Sequence, residues 1–166
     1  MASELEKTEK PKPFRLMFVC LGNICRSPAA QAVMQSLVDA RGLSTQVFVD
    51  SAGTARYHIG RLPDSRMIAA GAKRGLQLTS LAKAITLEQV LDRDLVLAMD
   101  RQNLRDIHRI SQHSQTHVRL LSDYLDQSWP RDVPDPYYGG EDGFEYVLDM
   151  LEAACPRILD ESFRSL

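Results

Sequence analysis

The sequence RLMFVCLGNICRS, residues 15–27, places a short apolar run directly before a polar loop. Residues 15–20 include aromatic and β-branched side chains and are typical of a strand buried on both faces. Beyond the loop, apolar residues recur with helical spacing, at Ala30, Val33, Met34, Leu37 and Val38. The stretch therefore predicts a strand, a loop and a helix, with Ser27 as N-cap, Pro28 at the first helical position and Gly42 at a left-handed stop.

Farther along the chain, strand-like and helix-like segments alternate. The predicted strands are residues 46–50, 94–99 and 117–121, and the predicted helices are residues 64–75, residues 101–109 and a long final helix. That last helix has apolar positions from Phe144 to Leu159, and Pro156 predicts a kink in it. The alternation predicts one α/β domain with a parallel sheet covered by helices on both faces, and ligands of such sheets bind at the carboxyl ends of the strands.

The composition is that of an ordinary globular domain, with 166 residues of which 44% are hydrophobic and 25% charged. The formal net charge is -2 and no run of Lys or Arg occurs, which argues against a nucleic-acid or anionic-membrane surface. No apolar stretch approaches the roughly 20 residues that span a bilayer. We therefore expect neither a nucleic-acid partner nor membrane insertion.

The N-terminal residues and the cysteines indicate in which cellular compartment the protein is expected. Residues 1–13 hold six charged side chains and two prolines without an apolar segment, which predicts a disordered tail and not a signal peptide, followed by a domain at residues 14–166. Three cysteines cannot pair as an even set, which excludes a disulfide scaffold. We therefore expect a reducing, cytoplasmic location.

The loop at residues 20–27 has the chemistry of a site for a tetrahedral oxyanion. Gly22 and Asn23 tolerate positive φ, so that consecutive N–H groups can turn inward as an anion nest. The helix start adds free N–H groups, and the guanidinium fork of Arg26 matches two phosphate oxygens. The same positive field favours the thiolate form of Cys20, to which Ser27 can donate a hydrogen bond. An ionised sulfur beneath a bound phosphate is a nucleophile aimed at phosphorus.

Other interpretations explain these residues less well. A plain strand-to-helix turn gives no role to the Gly-Asn and Arg-Ser pairs together, and the loop lacks the G-x-x-x-x-G-K-[ST] pattern of a nucleotide site. The two loop cysteines have poor zinc spacing and no matching ligands nearby, and His113 and His117 are four residues apart but His117 begins a predicted strand, so we expect no metal site. Cys155 lies on the apolar stripe of the final helix and is interpreted as core packing.

The string VCLGNICRSP, residues 19–28, resembles the catalytic loop of the low-molecular-weight protein tyrosine phosphatases. Three further stretches are similar to that family: DSAGT at residues 50–54, Met99-Asp100 with NLRD at residues 103–106, and DPYYG at residues 135–139. The likeness covers about residues 14–163. It implies a single α/β domain with a four-stranded parallel sheet, and a two-step phosphoryl transfer through a phosphocysteine without a cofactor.

The resemblance also implies roles for particular residues. Cys20, Arg26 and Asp135 would be catalytic, with Asp135 as the acid that protonates the leaving phenolate and later takes a proton from water. The phosphate would be bound by Leu21, Gly22, Asn23, Ile24, Cys25, Arg26 and Ser27. Asn23, Ser27 and Ser51 would support the loop, while Tyr57, Tyr137 and Tyr138 would line its mouth. The expected partners are tyrosine-phosphorylated proteins, with inorganic phosphate as product and competitive ligand.

Some residues depart from the family pattern. Ser80 stands where the family's loop network has a histidine, Lys83 where an arginine is common, and Gln31 where a glutamate is usual. These changes affect the outer part of the network and leave the reacting groups intact.

Three other functions share parts of this pattern. Arsenate reductases of this fold need two more cysteines near the middle of the chain, and residues 26–154 contain none. Protein-arginine phosphatases carry threonine where Ile24 stands, and the bulk of Ile24 favours a flat aryl phosphate. A phosphotyrosine-binding module without turnover would not need Cys20, Arg26 and Asp135 together.

Cys25 follows Cys20 by five residues on a loop that must curl around one anion. If it curls in this way, the two sulfurs can bridge within the Cα separation of roughly 4.4–6.8 Å that a disulfide tolerates. Peroxide would then inactivate the enzyme reversibly through a Cys20–Cys25 disulfide. The alternative is that Cys25 only packs beneath the loop.

Overall fold

Four parallel strands form the centre of the molecule in a computed structural model that describes residues 11–164. The strands are β1 (Phe14–Cys20), β2 (Val47–Gly53), β3 (Leu95–Ala98) and β4 (Val118–Leu120), in the order β2-β1-β3-β4. The helices are α1 (Arg26–Ala40), α2 (Ser65–Ala72), α3 (Leu87–Asp92), α4 (Arg101–Ser111) and α5 (Glu141–Arg164). The predicted four-stranded parallel sheet is confirmed.

Strand β1 divides the core into two layers because side chains alternate along a strand. Leu16 and Phe18 belong to the larger apolar cluster, to which α1 and α5 contribute, and Met17 and Val19 belong to a second cluster that includes Ile107 of α4. These residues of β1 are at most 1% exposed. A strand buried on both faces, as its apolar sequence predicts, therefore has helices on either side.

The carboxyl ends of β1, β2 and β3 meet at one edge of the sheet. Cys20 is in register with Gly53 of β2, and Val19 is in register with Ala98 of β3. Gly53 is needed there, since a Cβ at this position would lie 2.7 Å from the carbonyl oxygen of Leu21. The loop after β1 therefore passes directly over the end of β2, and it connects to the first turn of α1.

Several local predictions need correction. Helix α1 begins at Arg26 with Cys25 as its N-cap, so Ser27 is not the cap but lies inside the first turn. Helix α3 was not predicted, because its six residues span less than two turns, too few for Leu87, Val90 and Leu91 to establish a helical repeat. Its start is a capping box between Thr86 and Gln89. Gly42 has the expected positive φ, +66°.

The remaining boundary differences are small. Helix α2 is shorter than the predicted residues 64–75, and the strand predicted at residues 117–121 ends at Leu120 and continues as a 3-10 turn. Helix α5 starts at Glu141 and continues through Pro156. Of the predicted tail, residues 1–10 lie outside the described residues and residues 11–13 have no regular structure. Within residues 11–164, no helix is both long enough and apolar enough to span a membrane.

Candidate active site

The sulfur of Cys20 lies at the end of β1 and is surrounded by hydrogen-bonding groups. Cys20 is only 3% exposed, and its Sγ lies 3.0 Å from the hydroxyl oxygen of Ser27. The backbone N–H of Asn23 donates to the same sulfur at 3.3 Å. Both groups can donate a hydrogen bond to the sulfur, which holds it at the centre of the loop. The hydroxyl of Ser27, expected at a helix cap, instead faces Cys20.

Asn23 holds the turn of the loop. It has a positive φ, +56°, whereas Gly22, the other candidate for such a conformation, does not. The side-chain amide of Asn23 donates to the hydroxyl oxygens of Ser27 at 2.8 Å and Ser51 at 2.9 Å, and its oxygen accepts from the backbone N–H of Lys83 at 3.0 Å. All of these polar groups of Asn23 are therefore satisfied, which stabilises a conformation that non-glycine residues rarely adopt.

The departures from the family pattern lie in the outer part of this network. The hydroxyl of Ser51 donates to Gln31 at 2.7 Å, so an amide oxygen accepts the bond there. The ammonium of Lys83 lies 2.7 Å from the buried carboxylate of Asp50, which Arg93 also binds at 2.7 Å. Among the described residues, no side-chain hydrogen bond joins Ser80 to the network. The backbone N–H of Lys83 thus supports the loop without the usual histidine.

Arg26 lies at the start of α1 and is 3% exposed. Its guanidinium donates from Nη1 to the Asp100 carboxylate at 2.6 Å and to the Val133 carbonyl at 3.0 Å. Nη2 lies 3.6 Å from the carboxylate of Asp135. Burial lowers the pKa of Arg26, but Cys20, Asp100 and Asp135 outweigh that effect and hold the pKa above its ordinary value. Arg26 is therefore a fixed cation facing the loop.

Asp135 follows a segment that is anchored to the sheet. The N–H of Val133 donates to the carbonyl of Met99, just after β3, at 3.0 Å. The Asp135 carboxylate accepts a hydrogen bond from the N–H of Tyr137 at 3.1 Å and is 39% exposed. Asp135 thus faces Arg26 from the rim of the site and remains open to solvent.

These groups surround one cleft of about 290 Å³. It is lined by Cys20, Leu21, Gly22, Ile24, Cys25, Arg26, Tyr57, His58, Asp135, Tyr137 and Tyr138. The three tyrosines predicted at the mouth do line it, with exposures of 76% for Tyr57, 37% for Tyr137 and 92% for Tyr138. Asn23 and Ser27, although predicted to bind phosphate, do not line the cleft and act on its wall through their hydrogen bonds.

The other two cysteines are buried thiols with raised pKa values. Cys25 is 4% exposed, and burial, with the nearby charges of Asp64 and Cys20, raises its pKa to about 12. Cys155 is fully buried in the core, and burial likewise raises its pKa. Both are therefore neutral thiols at physiological pH. The core position of Cys155 confirms the expectation from its apolar stripe.

Two residues of the site were not predicted. Asp100 binds Arg26, and the signal for it was present, because an acidic residue directly after a buried strand lies at the sheet edge where ligands bind. His58 lines the cleft between two rim tyrosines, its ring 6.3 Å from those of Tyr57 and Tyr137, and no local pattern marks it. Within residues 11–164, no group of three His, Cys, Asp or Glu side chains could hold a metal ion.

The chain is similar to known proteins over most of its length. The family model described as "Low molecular weight phosphotyrosine protein phosphatase" matches residues 15–165. A low molecular weight protein-tyrosine-phosphatase of Streptomyces coelicolor is 43% identical over 150 residues, which are 88% of this chain and 92% of that protein.

Two solved structures are also similar. A protein tyrosine phosphatase from Entamoeba histolytica is 37% identical, with a TM-score of 0.86 over 92% of this chain and 98% of that one. A Drosophila arginine phosphatase is 30% identical, with a TM-score of 0.82 over 89% and 96% of the two chains. The sequence match, the shared fold and the cysteine loop lead to one conclusion: the chain belongs to the low molecular weight phosphotyrosine protein phosphatase family.

Proposed function

We propose that the protein hydrolyses phosphotyrosine in proteins, and aryl phosphates in general, through a phosphocysteine formed on Cys20. The observation that carries this proposal is the arrangement of three groups around one cleft. Cys20 lies at its floor, the guanidinium of Arg26 lies beside it, and the carboxyl of Asp135 lies 3.6 Å from Arg26 at the rim. A nucleophile, a fixed cation and an acid are the groups that phosphoryl transfer requires.

In the first step, the Cys20 thiolate attacks phosphorus, and the bond from phosphorus to the phenolic oxygen breaks. The loop N–H groups and the Arg26 fork bind the equatorial oxygens, whose charge grows toward the transition state. Asp135, protonated opposite the phosphate dianion, gives its proton to the leaving oxygen. The products of this step are a free phenol and phosphocysteine.

In the second step, water attacks the phosphocysteine and the phosphorus–sulfur bond breaks. Asp135, now a carboxylate, takes a proton from that water. The thiolate leaves, and it is stabilised by the Ser27 hydroxyl at 3.0 Å and the Asn23 N–H at 3.3 Å. Inorganic phosphate is released and competes with substrate for the same loop.

The rim supports an aromatic substrate. The rings of Tyr137 and Tyr138 meet edge to face with centroids 4.9 Å apart, and Tyr57 lies on the other side of His58. Such walls suit a flat ring.

We expect phosphotyrosine peptides to be hydrolysed at least tenfold faster than matched phosphoarginine peptides, measured by phosphate release. A preference for phosphoarginine would instead favour the arginine phosphatase alternative.

If Asp135 is the general acid, its removal should lower kcat/KM most for substrates with poor leaving groups. Asp135→Ala should lower kcat/KM by about 10²-fold or more for phenyl phosphate, whose leaving group needs the proton, in line with the usual contribution of general acids. For an ester of an acidic dinitrophenol the loss should stay within about threefold, since that phenolate leaves without protonation. Asp142→Ala, the same change at an exposed position in α5, is the control. An equal loss across the series would contradict the role.

We further propose that the protein is cytoplasmic and that Cys25 is the redox partner of Cys20. Both side chains line the same cleft. Peroxide would oxidise the Cys20 thiolate to sulfenic acid, and the Cys25 sulfur would then attack it to form a disulfide with loss of water. Because the pKa of Cys25 is raised to about 12, we expect this closure to quicken as pH rises from 6 to 8.

Peptide mapping after peroxide treatment tests this proposal. We expect a Cys20–Cys25 bridge, full recovery with added thiol, and protection by inorganic phosphate. Cys25→Ser should lose activity irreversibly, because its sulfenic acid has no neighbouring thiol and oxidises further. Cys155→Ala, which changes a thiol of the core, should behave like the parent. If no bridge forms, or if Cys25→Ser recovers as fully as the parent, Cys25 is only a packing residue.

A further inference from the structure

We propose that Arg66 is a positioning residue that holds the segment carrying Asp135 against the cysteine loop. This inference rests on the proposed function, because it matters for catalysis only if Asp135 is the acid. Arg66 lies in the first turn of α2, outside the cleft itself, and it joins two segments that the reaction needs at a set distance.

The guanidinium of Arg66 is held in one orientation by three hydrogen bonds. Nε donates to Asp64 Oδ1 at 3.0 Å, and Nη2 donates to Asp64 Oδ2 at 2.8 Å. Nη2 also donates to the carbonyl oxygen of Tyr137 at 3.0 Å. The two bonds to Asp64 fix the plane of the fork, so the third bond restrains Tyr137 in a defined direction.

Asp64 links this fork to the cysteine loop. Its backbone N–H donates to the carbonyl of Ile24 at 2.8 Å, and its carboxylate caps α2 by accepting from the N–H of Arg66 at 2.9 Å. A continuous set of hydrogen bonds therefore runs from Ile24 through Asp64 and Arg66 to Tyr137. A shift of Tyr137 away from the loop would break it.

The segment at residues 133–137, which carries Asp135 and is called the acid segment, is held by hydrogen bonds at its two ends. Pro134 and Pro136 flank Asp135 and have no N–H to donate, so neither supplies a backbone donor that would hold the segment, although Pro136 itself is buried. Val133 supplies the upstream anchor, through Met99 and Arg26. The carbonyl of Tyr137 supplies the downstream anchor to Arg66, and the N–H of Tyr137 binds the carboxylate of Asp135 directly. The position of Tyr137 thus sets the position of the acid.

Two aromatic rings also hold the guanidinium of Arg66 in place. The guanidinium carbon lies 4.8 Å from the ring centroid of Phe144, which is 1% exposed, and 5.5 Å from that of Tyr137. Contacts of this kind stabilise a cation against an aromatic face. Arg66 therefore connects the rim tyrosine to a rigid residue of α5.

The test is the leaving-group dependence of Arg66→Met. We expect kcat/KM to fall about tenfold for phenyl phosphate but less than twofold for the dinitrophenyl ester, because misplacing an acid costs only those reactions that need its proton. Arg66→Lys, which keeps the charge but not the fork, should show the same trend with a smaller loss. In the double variant with Asp135→Ala, the Arg66 change should cost less than twofold for either substrate.

Arg74→Met is the matched control. Arg74 lies two residues beyond the end of α2 and pairs with Glu145 at 2.6 Å and Asp149 at 2.9 Å, both in α5. Among the described residues, it forms no hydrogen bond or ion pair with residues 133–137. It should lower the melting temperature without changing the leaving-group dependence. A uniform loss for Arg66→Met, or none, would overturn the positioning role. A uniform loss for Asp135→Ala would instead show that the proposed function had failed, so the two failures are distinguishable.

Discussion

Cys20→Ser is expected to lower kcat for p-nitrophenyl phosphate by about 10⁴-fold or more, since loss of a covalent nucleophile costs on this order in other enzymes. A serine hydroxyl is not ionised at neutral pH, so the hydrogen bonds from Ser27 and Asn23 no longer stabilise an attacking anion. The loop N–H groups and Arg26 stay in place. Phosphate binding, measured by calorimetry, should therefore remain within a few fold of the parent.

The control for this prediction is Cys155→Ala. Cys155 is a fully buried thiol in the core, away from the cleft, and alanine leaves no unsatisfied polar group there. Its activity should equal that of the parent even if its melting temperature falls. If Cys20→Ser retains more than about 1% of the parent's activity, which is far above the residual expected without a nucleophile, then the nucleophile lies elsewhere.

Arg26→Lys is expected to lower kcat by about 10³-fold, within the range that a transition-state arginine supplies in phosphoryl transfer. A single ammonium cannot bind two phosphate oxygens while also holding Asp100 and the carbonyl of Val133, as the guanidinium does. Because lysine keeps the positive charge, the loss of kcat measures what the planar geometry of the guanidinium contributes. Because the phosphate oxygens gain charge toward the transition state, kcat should fall more than KM rises.

The control is Arg41→Lys, the same exchange at a surface arginine paired with Asp160 at 2.6 Å. It should leave kcat unchanged, because exposed ion pairs contribute little. Steady-state kinetics, with melting temperatures for both variants, separates catalysis from folding. A near-normal kcat for Arg26→Lys would mean that a point charge suffices at this position.

The regular elements were predicted where the local pattern was strong. The strand at residues 15–20 and the helix that follows it have clear apolar patterns, and the structure has both, with boundaries shifted by one or two residues. Helix α3 was not predicted, because its six residues span less than two turns and hold only three apolar side chains. Ser27 satisfies the local preference for an N-cap, yet the nearby sulfur of Cys20 determines where its hydroxyl points.

The chemistry of the loop could be read from the sequence alone, because eight consecutive residues carry the sulfur, the turn residue, the guanidinium and the hydroxyl. The groups that hold these residues in place are brought together by the tertiary fold. Arg26 binds Asp100 and Val133 across 74 and 107 residues, and Asn23 binds Lys83 across 60. Those partners depend on the strand order β2-β1-β3-β4 and its register, which bring the ends of distant strands to one edge. Local patterns carry no information about that register, since hydrophobic periodicity specifies which face of an element is buried and not which residues meet across the sheet.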